Sequence, residues 1–198
     1  MEGLRQPDDG SALADGLAPI ADRAEYVHRI GVQRQEIGVP PSMKVREALR
    51  LFAALYRTSV SLTELTGEQG LDESVSRTYD SLSGGQKRRV NIALALVGAP
   101  DIVFLDEPTT GLDPEYRFRF WEYLRQQNSP GMTVVATTHY MEEAREYCDV
   151  VLLMNHGRDV AYGPPEGLIA DSGVARASCC PGRPWGPLDR TRWRKCRA

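Results

Sequence analysis

The run from Ile102 to Leu105 constrains the fold of this chain most, because an uninterrupted apolar run between turn signals predicts a strand buried on both faces. Asp113 is placed to cap the helix that follows this strand, with a proline at the first helical position. The run from Thr133 to Thr137 then predicts a second strand. A strand, a helix and a strand in this order form a right-handed crossover between parallel strands, so the sequence predicts an α/β fold with a parallel sheet core.

Polar residues follow both predicted strands. Asp106 and Glu107 come directly after Leu105, and His139 comes shortly after Thr137. Ligands bind outside the carboxyl ends of parallel strands, so we expect these three side chains at one edge of the sheet. Adjacent carboxylates there suit phosphoryl transfer, in which one holds Mg²⁺ and the next orients or deprotonates the attacking water. For an isolated Asp-Glu pair, a plain acidic turn is the alternative.

The loop Ser83-Gly84-Gly85 opens directly into a predicted helix from Gln86 to Val97. Free backbone N–H groups and the positive end of the helix dipole favour an anion there, and glycine lets a phosphate approach closely. Residues 87–89, one lysine and two arginines, lie in the first turn of this helix, and we interpret them as pointing into water. The sequence therefore predicts a phosphate contact at the loop and a solvated surface at the basic residues.

A P-loop, the other phosphate-binding element that such chemistry needs, is not found in the sequence. A P-loop requires a Gly-Lys dipeptide followed by Ser or Thr, and none of the lysines, at positions 44, 87 and 195, follows a glycine. The amides and the lysine of a P-loop supply most of the hold on the β- and γ-phosphates. Without them, we expect Asp106 to be a weak Mg²⁺ site and the polypeptide alone to bind ATP poorly.

The segment 36–80 is predicted to form a small helical lobe. Its main helix is predicted to begin at Ser42 or a neighbour. The polar stretch 58–80 contains glycines that predict short helical pieces. The apolar stripe of the main helix consists of Val45, Leu49, Phe52 and Leu55.

The remaining segments are predicted from turn residues and short apolar runs. Residues 1–24 are a turn-rich connector, and residues 29–32 predict a short strand. Residues 150–154 and 159–162 predict a hairpin joined by the turn 155–158, with His156 in the turn and Cys148 at an ordinary packed position. No apolar run reaches the roughly 18 to 20 residues of a membrane span, and the acidic N-terminus is unlike a secretory leader. We therefore expect a soluble, cytoplasmic protein.

The last residues differ in composition from the rest of the chain. The net charge is −3, yet residues 176–198 carry seven basic side chains and one acidic side chain. The cysteines at positions 179, 180 and 196 lack the paired spacing of a zinc site. The Pro-, Gly- and Arg-rich composition predicts a disordered tail and fits a change of reading frame near residue 175. Its charges are expected to solvate it, so no nucleic-acid partner is expected.

Three strings resemble the ATP-binding-cassette (ABC) family when they are taken together. They are Leu-Ser-Gly-Gly-Gln at 82–86, Asp-Glu-Pro-Thr-Thr-Gly-Leu-Asp-Pro at 106–114, and Thr-Thr-His at 137–139. Their order and separation resemble the family's signature, Walker B strand, D-loop and switch histidine, over about residues 2–172. Segments 45–49 and 138–144 look like the drug-export or ABC-2-type branch. Many relatives in this family have threonine where Lys44 stands, so the lobe helix is expected to lack that N-cap unless Ser42 substitutes for it. The resemblance implies a P-loop NTPase-type parallel sheet with a small helical lobe, N-terminally incomplete because the chain begins just after the Walker A loop.

The resemblance also implies a role for each motif residue. Asp106 would be the Walker B carboxylate for Mg²⁺, Glu107 the catalytic base, and His139 the switch that senses the γ-phosphate. Gln35 would be the Q-loop residue that links the metal and the attacking water to the helical lobe, although Gln33 lies two positions away. The residues expected to act on the ATP or the partner across a dimer are Ser83, Gly84, Gly85, Gln86 and Asp113.

The predicted organisation has four parts. Residues 1–35 are the remnant of an N-terminal core with the Q-loop strand, and residues 36–80 are the helical subdomain. Residues 81–172 form the catalytic core, and residues 173–198 are the basic, disordered tail.

The function implied is that of an ATP-binding and ATP-hydrolysing subunit of an exporter, inactive alone for want of the Walker A loop. It would work with transmembrane permease subunits and a second nucleotide-binding subunit, on the inner face of the cell membrane. One alternative is a non-catalytic half-subunit that completes a partner's ATP site. Another is a DNA-repair or chromosome-associated ATPase of the same family, disfavoured because only 46 residues separate Gln35 from Leu82.

Overall fold

The computed structural model describes residues 3–34, 38–128 and 131–171. The chain divides into two compact units, Met1–Tyr147 and Cys148–Ala198. Within the described ranges, no helix is both long enough and apolar enough to cross a membrane. The helices are α1 (Arg23–Tyr26), α2 (Val45–Ala53), α3 (Leu62–Glu68), α4 (Gly84–Leu96), α5 (Pro114–Asn128), α6 (Met141–Tyr147) and α7 (Pro165–Asp171), and the strands are β1 (Ile30–Gln33), β2 (Ile102–Asp106), β3 (Thr133–Thr137), β4 (Val151–Asn155) and β5 (Arg158–Gly163).

The first unit contains a parallel sheet in the order β1-β2-β3. Ile30 lies opposite Ile102 across the first pair of strands, and Asp106 lies opposite Thr137 across the second. The four apolar residues of β2 are buried, as a central parallel strand requires. The predicted crossover from β2 through α5 to β3 is therefore confirmed, and the carboxyl ends of all three strands lie at the same edge.

Helix α4 packs so closely on β1 that one position of the strand has to be glycine. A Cβ atom on Gly31 would lie 1.9 Å from the carbonyl oxygen of Ala95. The consecutive residues Val90 to Leu96 are all buried, between the sheet and the helical lobe residues that share their core cluster. The C-terminal half of the helix is thus enclosed on more than one face, which explains why every position from Val90 to Leu96 except Asn91 is apolar.

Tyr56 connects the end of the lobe helix to the sheet. Its hydroxyl donates a hydrogen bond to the carbonyl oxygen of Ile30 at 3.1 Å, and burial raises its pKa. A Cβ atom on Gly98 would lie 2.4 Å from the Tyr56 ring, so the glycine after α4 provides room for that ring. The left-handed residue that turns the chain is instead Ala99, with φ of 47°. Gly98 therefore follows the predicted helix end for a packing reason and not for its backbone freedom.

The helical lobe differs in two details from its prediction. Helix α2 begins after Lys44, whose backbone amide donates to the Glu47 carboxylate at 3.0 Å, so Ser42 does not replace the missing cap. The helix ends at Ala53, and Leu55 is 60% exposed, so Leu55 does not belong to the buried stripe. Short 3₁₀ turns at Asp72–Ser74 and Tyr79–Ser81 follow α3, in agreement with the predicted short helical pieces.

The described part of the second unit, residues 148–171, contains a β4–β5 hairpin followed by α7. His156 and Gly157 both have positive φ, at 48° and 74°, which is the backbone of a type I′ turn and matches the twist of the paired strands. The predicted hairpin and the position of His156 in its turn are confirmed. Cys148 is half-buried at the start of this unit.

Candidate active site

The end of β2 carries the first carboxylate of the site in a fixed orientation. The Asp106 Oδ1 atom accepts a hydrogen bond from the Thr137 hydroxyl of the neighbouring strand at 2.8 Å. The Asp106 amide donates to the side-chain oxygen of Gln33 at 3.1 Å. Two neighbouring strands thus hold Asp106 from either side, as the register of the parallel sheet allows.

Gln33 has a structural contact of its own and is almost fully buried, at 1% exposure. Besides accepting from Asp106, its side-chain amide donates to the carbonyl oxygen of Arg34 at 2.9 Å. A buried amide satisfied in this way stabilises the strand ends. Gln35, the predicted Q-loop residue, lies outside the described residues.

Glu107 occupies a left-handed backbone position, with φ of 47°, immediately after the strand. Its carboxylate accepts hydrogen bonds from the Thr110 hydroxyl at 3.0 Å and from Nδ1 of His139 at 3.1 Å. Because a carboxylate only accepts, Nδ1 of His139 is assigned as the protonated nitrogen. The bond from His139, with a smaller contribution from Thr110, holds the pKa of Glu107 below its ordinary value.

The structure therefore brings together the three residues predicted to share this edge. Glu107 is one-third exposed and His139 is half-exposed, so both side chains face solvent while their backbones follow two paired strands, of which β2 is buried. Such a pair can hold an ionised carboxylate in position to accept a proton from water. Their assignment as catalytic base and switch stays a prediction.

The signature loop forms a reciprocal cap on α4. The Ser83 hydroxyl accepts from the Gln86 amide at 3.3 Å, and the Gln86 side-chain oxygen accepts from the Ser83 amide at 3.0 Å. Gln86 also donates to the Ser74 hydroxyl at 3.2 Å. No heavy atom outside the loop lies within 4 Å of a Cβ placed on Gly84, and a Cβ on Gly85 would make only an ordinary contact with Leu112. The cap thus fixes a loop whose glycines are open to an approaching group.

The prediction that Arg88 and Arg89 point into water is wrong. Arg88 donates a hydrogen bond to the carbonyl oxygen of Glu107, which ties α4 to the turn after β2. Arg89 forms an ion pair with Asp113 at 3.1 Å and stacks on the Tyr116 ring at 3.9 Å. Both contacts reach across 19 or more residues of sequence, and nothing in the local pattern of α4 indicates them.

Asp113 acts as the predicted cap of α5. Its Oδ1 atom accepts from the Tyr116 amide at 2.8 Å, and its Oδ2 atom faces Arg89. The hydrogen bond from the Tyr116 amide is the main reason that the pKa of Asp113 lies below its ordinary value. The D-loop role of Asp113 toward a second subunit stays a prediction.

The donor set at this edge fits Mg²⁺ of the kind that accompanies nucleotides. In phosphate sites, Mg²⁺ takes one or two carboxylates, with water and phosphate oxygens as its other ligands. Asp106 supplies such a carboxylate at a strand end, where the hydrogen bond from Thr137 fixes its direction. Across the described ranges, no group of three or more His, Cys, Asp or Glu residues is arranged to hold a metal by itself.

Comparisons with known proteins agree on one family. The family model described as ABC transporter matches residues 1–110, which is more than half of the chain. The Nod factor export ATP-binding protein I of Burkholderia orbicola is 39% identical over 173 residues, covering 84% of this chain and 57% of that relative. The chain thus spans little more than half the length of the curated relatives it matches.

Two solved structures show the same fold. One, an ATP-binding subunit of an ABC transporter, has a TM-score of 0.78 and 26% identity, and the match covers 89% of this chain and 75% of the other. The other is cbiO1 of Clostridium perfringens, part of the cbiONQ ABC transporter complex, with a TM-score of 0.66, 28% identity, and coverage of 87% and 73%. The expected P-loop NTPase-type fold is confirmed. Given the family match and the site at the carboxyl edge of its parallel sheet, this chain belongs to the ABC transporter family of ATP-binding domains.

Proposed function

We propose that this chain is an ATP-hydrolysing subunit of an ABC-type exporter that couples hydrolysis to transport through separate membrane subunits. The observation that carries the proposal is the convergence of Asp106, Glu107 and His139 at one sheet edge, with the Glu107 carboxylate bonded to His139. Its sequence relatives include proteins named for Nod factor export, which supports the export direction. The transmembrane permease partners and a position on the inner face of the membrane belong to the same proposal.

Each residue at the edge has a distinct part in the proposed chemistry. Glu107 is the general base, and its lowered pKa keeps the carboxylate ionised and able to accept a proton from the attacking water. His139 keeps that carboxylate oriented by donating its Nδ1–H. Asp106, together with Gln35, would hold the Mg²⁺, which neutralises charge on the phosphates when it is bound.

The signature loop is proposed to act on ATP held by a second nucleotide-binding subunit. Ser83 and Gln86 cap one another, so the loop keeps its shape before any ligand arrives. Gly84 and Gly85 are open enough for a phosphate to approach the backbone N–H groups. An ion pair with Arg89 joins Asp113 to α4, the helix that the signature loop caps. We propose that Asp113 contacts the second subunit.

The 198 residues contain no P-loop, so nucleotide binding by this polypeptide alone should be weak. A titration with a fluorescent ATP analogue and Mg²⁺ should show no saturation in the micromolar range. Micromolar, Mg²⁺-dependent binding would contradict this expectation. The titration measures nucleotide binding alone, so its result does not depend on the chemistry at Glu107.

A first mixing experiment tests the contact between the signature loop and ATP held by a partner. The partner is a full-length relative whose own signature serine has been replaced, so that its homodimer does not hydrolyse ATP. Adding this chain should restore ATP hydrolysis, and the Ser83→Arg variant should not. No stimulation by the unmodified chain, with both proteins folded, contradicts the proposed role of the signature loop.

A second candidate function is a non-catalytic half-subunit that completes the partner's ATP site. The intact cap of the signature loop and the lack of a P-loop in the sequence favour it. In the mixture with the partner that lacks its signature serine, hydrolysis takes place on the partner's ATP and needs Ser83 but not Glu107. A second partner keeps its signature serine and has its own catalytic carboxylate replaced, so that hydrolysis in this mixture needs Glu107. Stimulation of the first partner alone supports the half-subunit and contradicts hydrolysis by this chain. Stimulation of the second partner that Glu107→Gln removes supports hydrolysis at this chain's own carboxylates.

A further inference from the structure

Glu143 of α6 is a buried carboxylate that the proposed chemistry does not use. Its side chain is only 4% exposed. The Thr109 hydroxyl donates to its Oε1 atom at 2.6 Å, and the Thr138 hydroxyl donates to its Oε2 atom at 2.9 Å. Thr109 is two residues after Glu107, and Thr138 directly precedes His139. One carboxylate therefore holds both segments that carry the Glu107–His139 pair.

A third element reaches the same carboxylate. Nε of Arg117, on α5, lies 3.4 Å from Oε1 of Glu143, as an ion pair without the alignment of a hydrogen bond. The Arg117 guanidinium also covers the Tyr140 ring at 4.3 Å, and that ring lies 4.2 Å from the ring of His139. The Thr138 hydroxyl accepts in turn from the Tyr140 amide at 3.0 Å. Glu143, Arg117 and Tyr140 thus surround the turn from which His139 projects.

We infer that Glu143 is a positioning residue that fixes the register between the Glu107 turn and the His139 turn. The inference rests on the proposed function for its meaning, because the pair it positions is the proposed base and its histidine. Both oxygens of the carboxylate are engaged by different segments, so removing the carboxylate removes the side-chain link between the two turns. The Glu107 amide keeps its bond to the Thr137 carbonyl oxygen at 3.1 Å, so the strands stay paired while the turns beyond them lose their common anchor. Glu143 then no longer holds the distance between His139 and Glu107.

The experiment reads the tautomer of His139 in the full chain, without nucleotide. The chain has three histidines, His28, His139 and His156, which makes histidine-selective ¹⁵N labelling simple to interpret. At about pH 8, where an ordinary imidazole is neutral, the unmodified chain should show His139 with its proton on Nδ1. Glu143→Ala should shift this signal toward the mixed tautomers of a free imidazole, with the signals of His28 and His156 unchanged.

Two further variants separate positioning from general loss of structure. Glu142→Ala removes the exposed neighbouring carboxylate of the same helix and should leave all three histidine signals in place. Glu143→Gln retains the size and one acceptor oxygen, so it should restore part of the His139 signal. An unchanged His139 signal in folded Glu143→Ala overturns the inference.

Thr138 offers the same test from the other side, should Glu143→Ala fail to fold. Thr138→Val removes the hydroxyl that joins Glu143 to the His139 turn, and Thr138→Ser keeps it. The valine variant should lose the Nδ1–H signal of His139, and the serine variant should retain it. Identical His139 spectra in the two variants overturn the inference. Because no nucleotide is present, these outcomes are independent of whether the chain binds or hydrolyses ATP.

Discussion

The Glu107–His139 pair and the Glu143 cluster are two polar centres close together in the first unit, yet their environments are opposite. Glu107 and His139 are exposed enough to meet a ligand, with 32% and 54% of their side chains accessible. Glu143 is buried, and its neighbours supply only hydrogen-bond donors or positive charge. A buried carboxylate needs its partners to offset desolvation, whereas an exposed one does not. The comparison separates side chains that a ligand can reach from a side chain whose contacts lie within the fold.

The largest effect should come from Glu107→Gln mixed with a partner whose own catalytic carboxylate has been replaced, because hydrolysis in that mixture depends on Glu107. Removing a general base lowers the rate by about 100- to 10,000-fold. The free energy of unfolding should change by no more than about 0.5 kcal/mol, since the side chain is on the surface. Steady-state ATPase rates and urea unfolding of the same preparation measure the two effects. A large loss of stability in Glu107→Gln would show that the exposed Glu107 also stabilises the fold, contrary to the contrast drawn with Glu143.

Glu143→Ala, unlike Glu107→Gln, should clearly lower the free energy of unfolding. It leaves two threonine hydroxyls without their acceptor and the Arg117 guanidinium without its ion-pair partner, which should cost about 2–3 kcal/mol of unfolding free energy. The value lies at the low end for a broken buried pair because Arg117 is still partly exposed to water. Urea unfolding measures it, and the exposed Glu142→Ala is the matched control, expected within about 0.5 kcal/mol of the unmodified chain. Equal stabilities of Glu143→Ala and Glu142→Ala would show that the buried contacts of Glu143 do not stabilise the fold.

The sequence predicted the exposed centre but not the buried one, and the reason is the range of the interactions. β2, the cap at Asp113 and the Ser83 loop have local signals, because an apolar run or a capping residue acts within a few positions. The bond from Asp106 to Gln33 spans 73 residues, and that from Thr109 to Glu143 spans 34. Arg88 and Arg89 were misinterpreted for the same reason. Their partners, the Glu107 carbonyl and Asp113, are brought near only by folding.

Ser83→Ala tests whether Ser83 serves only as a helix cap or also contacts a ligand. Loss of an N-cap costs about 1 kcal/mol, and Ser61 provides a control because it caps α3 by the same bond, to the Glu64 amide at 3.4 Å. Ser83→Ala and Ser61→Ala should therefore lower the unfolding free energy to a similar extent. Only Ser83→Ala should reduce the stimulation of the partner subunit. If Ser61→Ala reduces stimulation equally, the effect of Ser83 is one of stability alone.

The smallest effect should be the pH dependence of stability that Glu107 contributes. Its pKa is lower in the folded protein than the ordinary value of 4.5, chiefly because His139 donates to the ionised form. A lowered folded pKa means that the stabilisation is complete above the unfolded pKa and is lost as the pH falls through the folded one. An ordinary imidazole gains its proton at about pH 6.5 and would itself change the pair, so the test lies below about pH 5.5. Urea unfolding from about pH 5.5 to about pH 3.5 should show a difference between the unmodified chain and Glu107→Gln that shrinks below the ordinary pKa of Glu107. A difference that grows on acidification in this range would mean that the contact with His139 favours the protonated carboxyl.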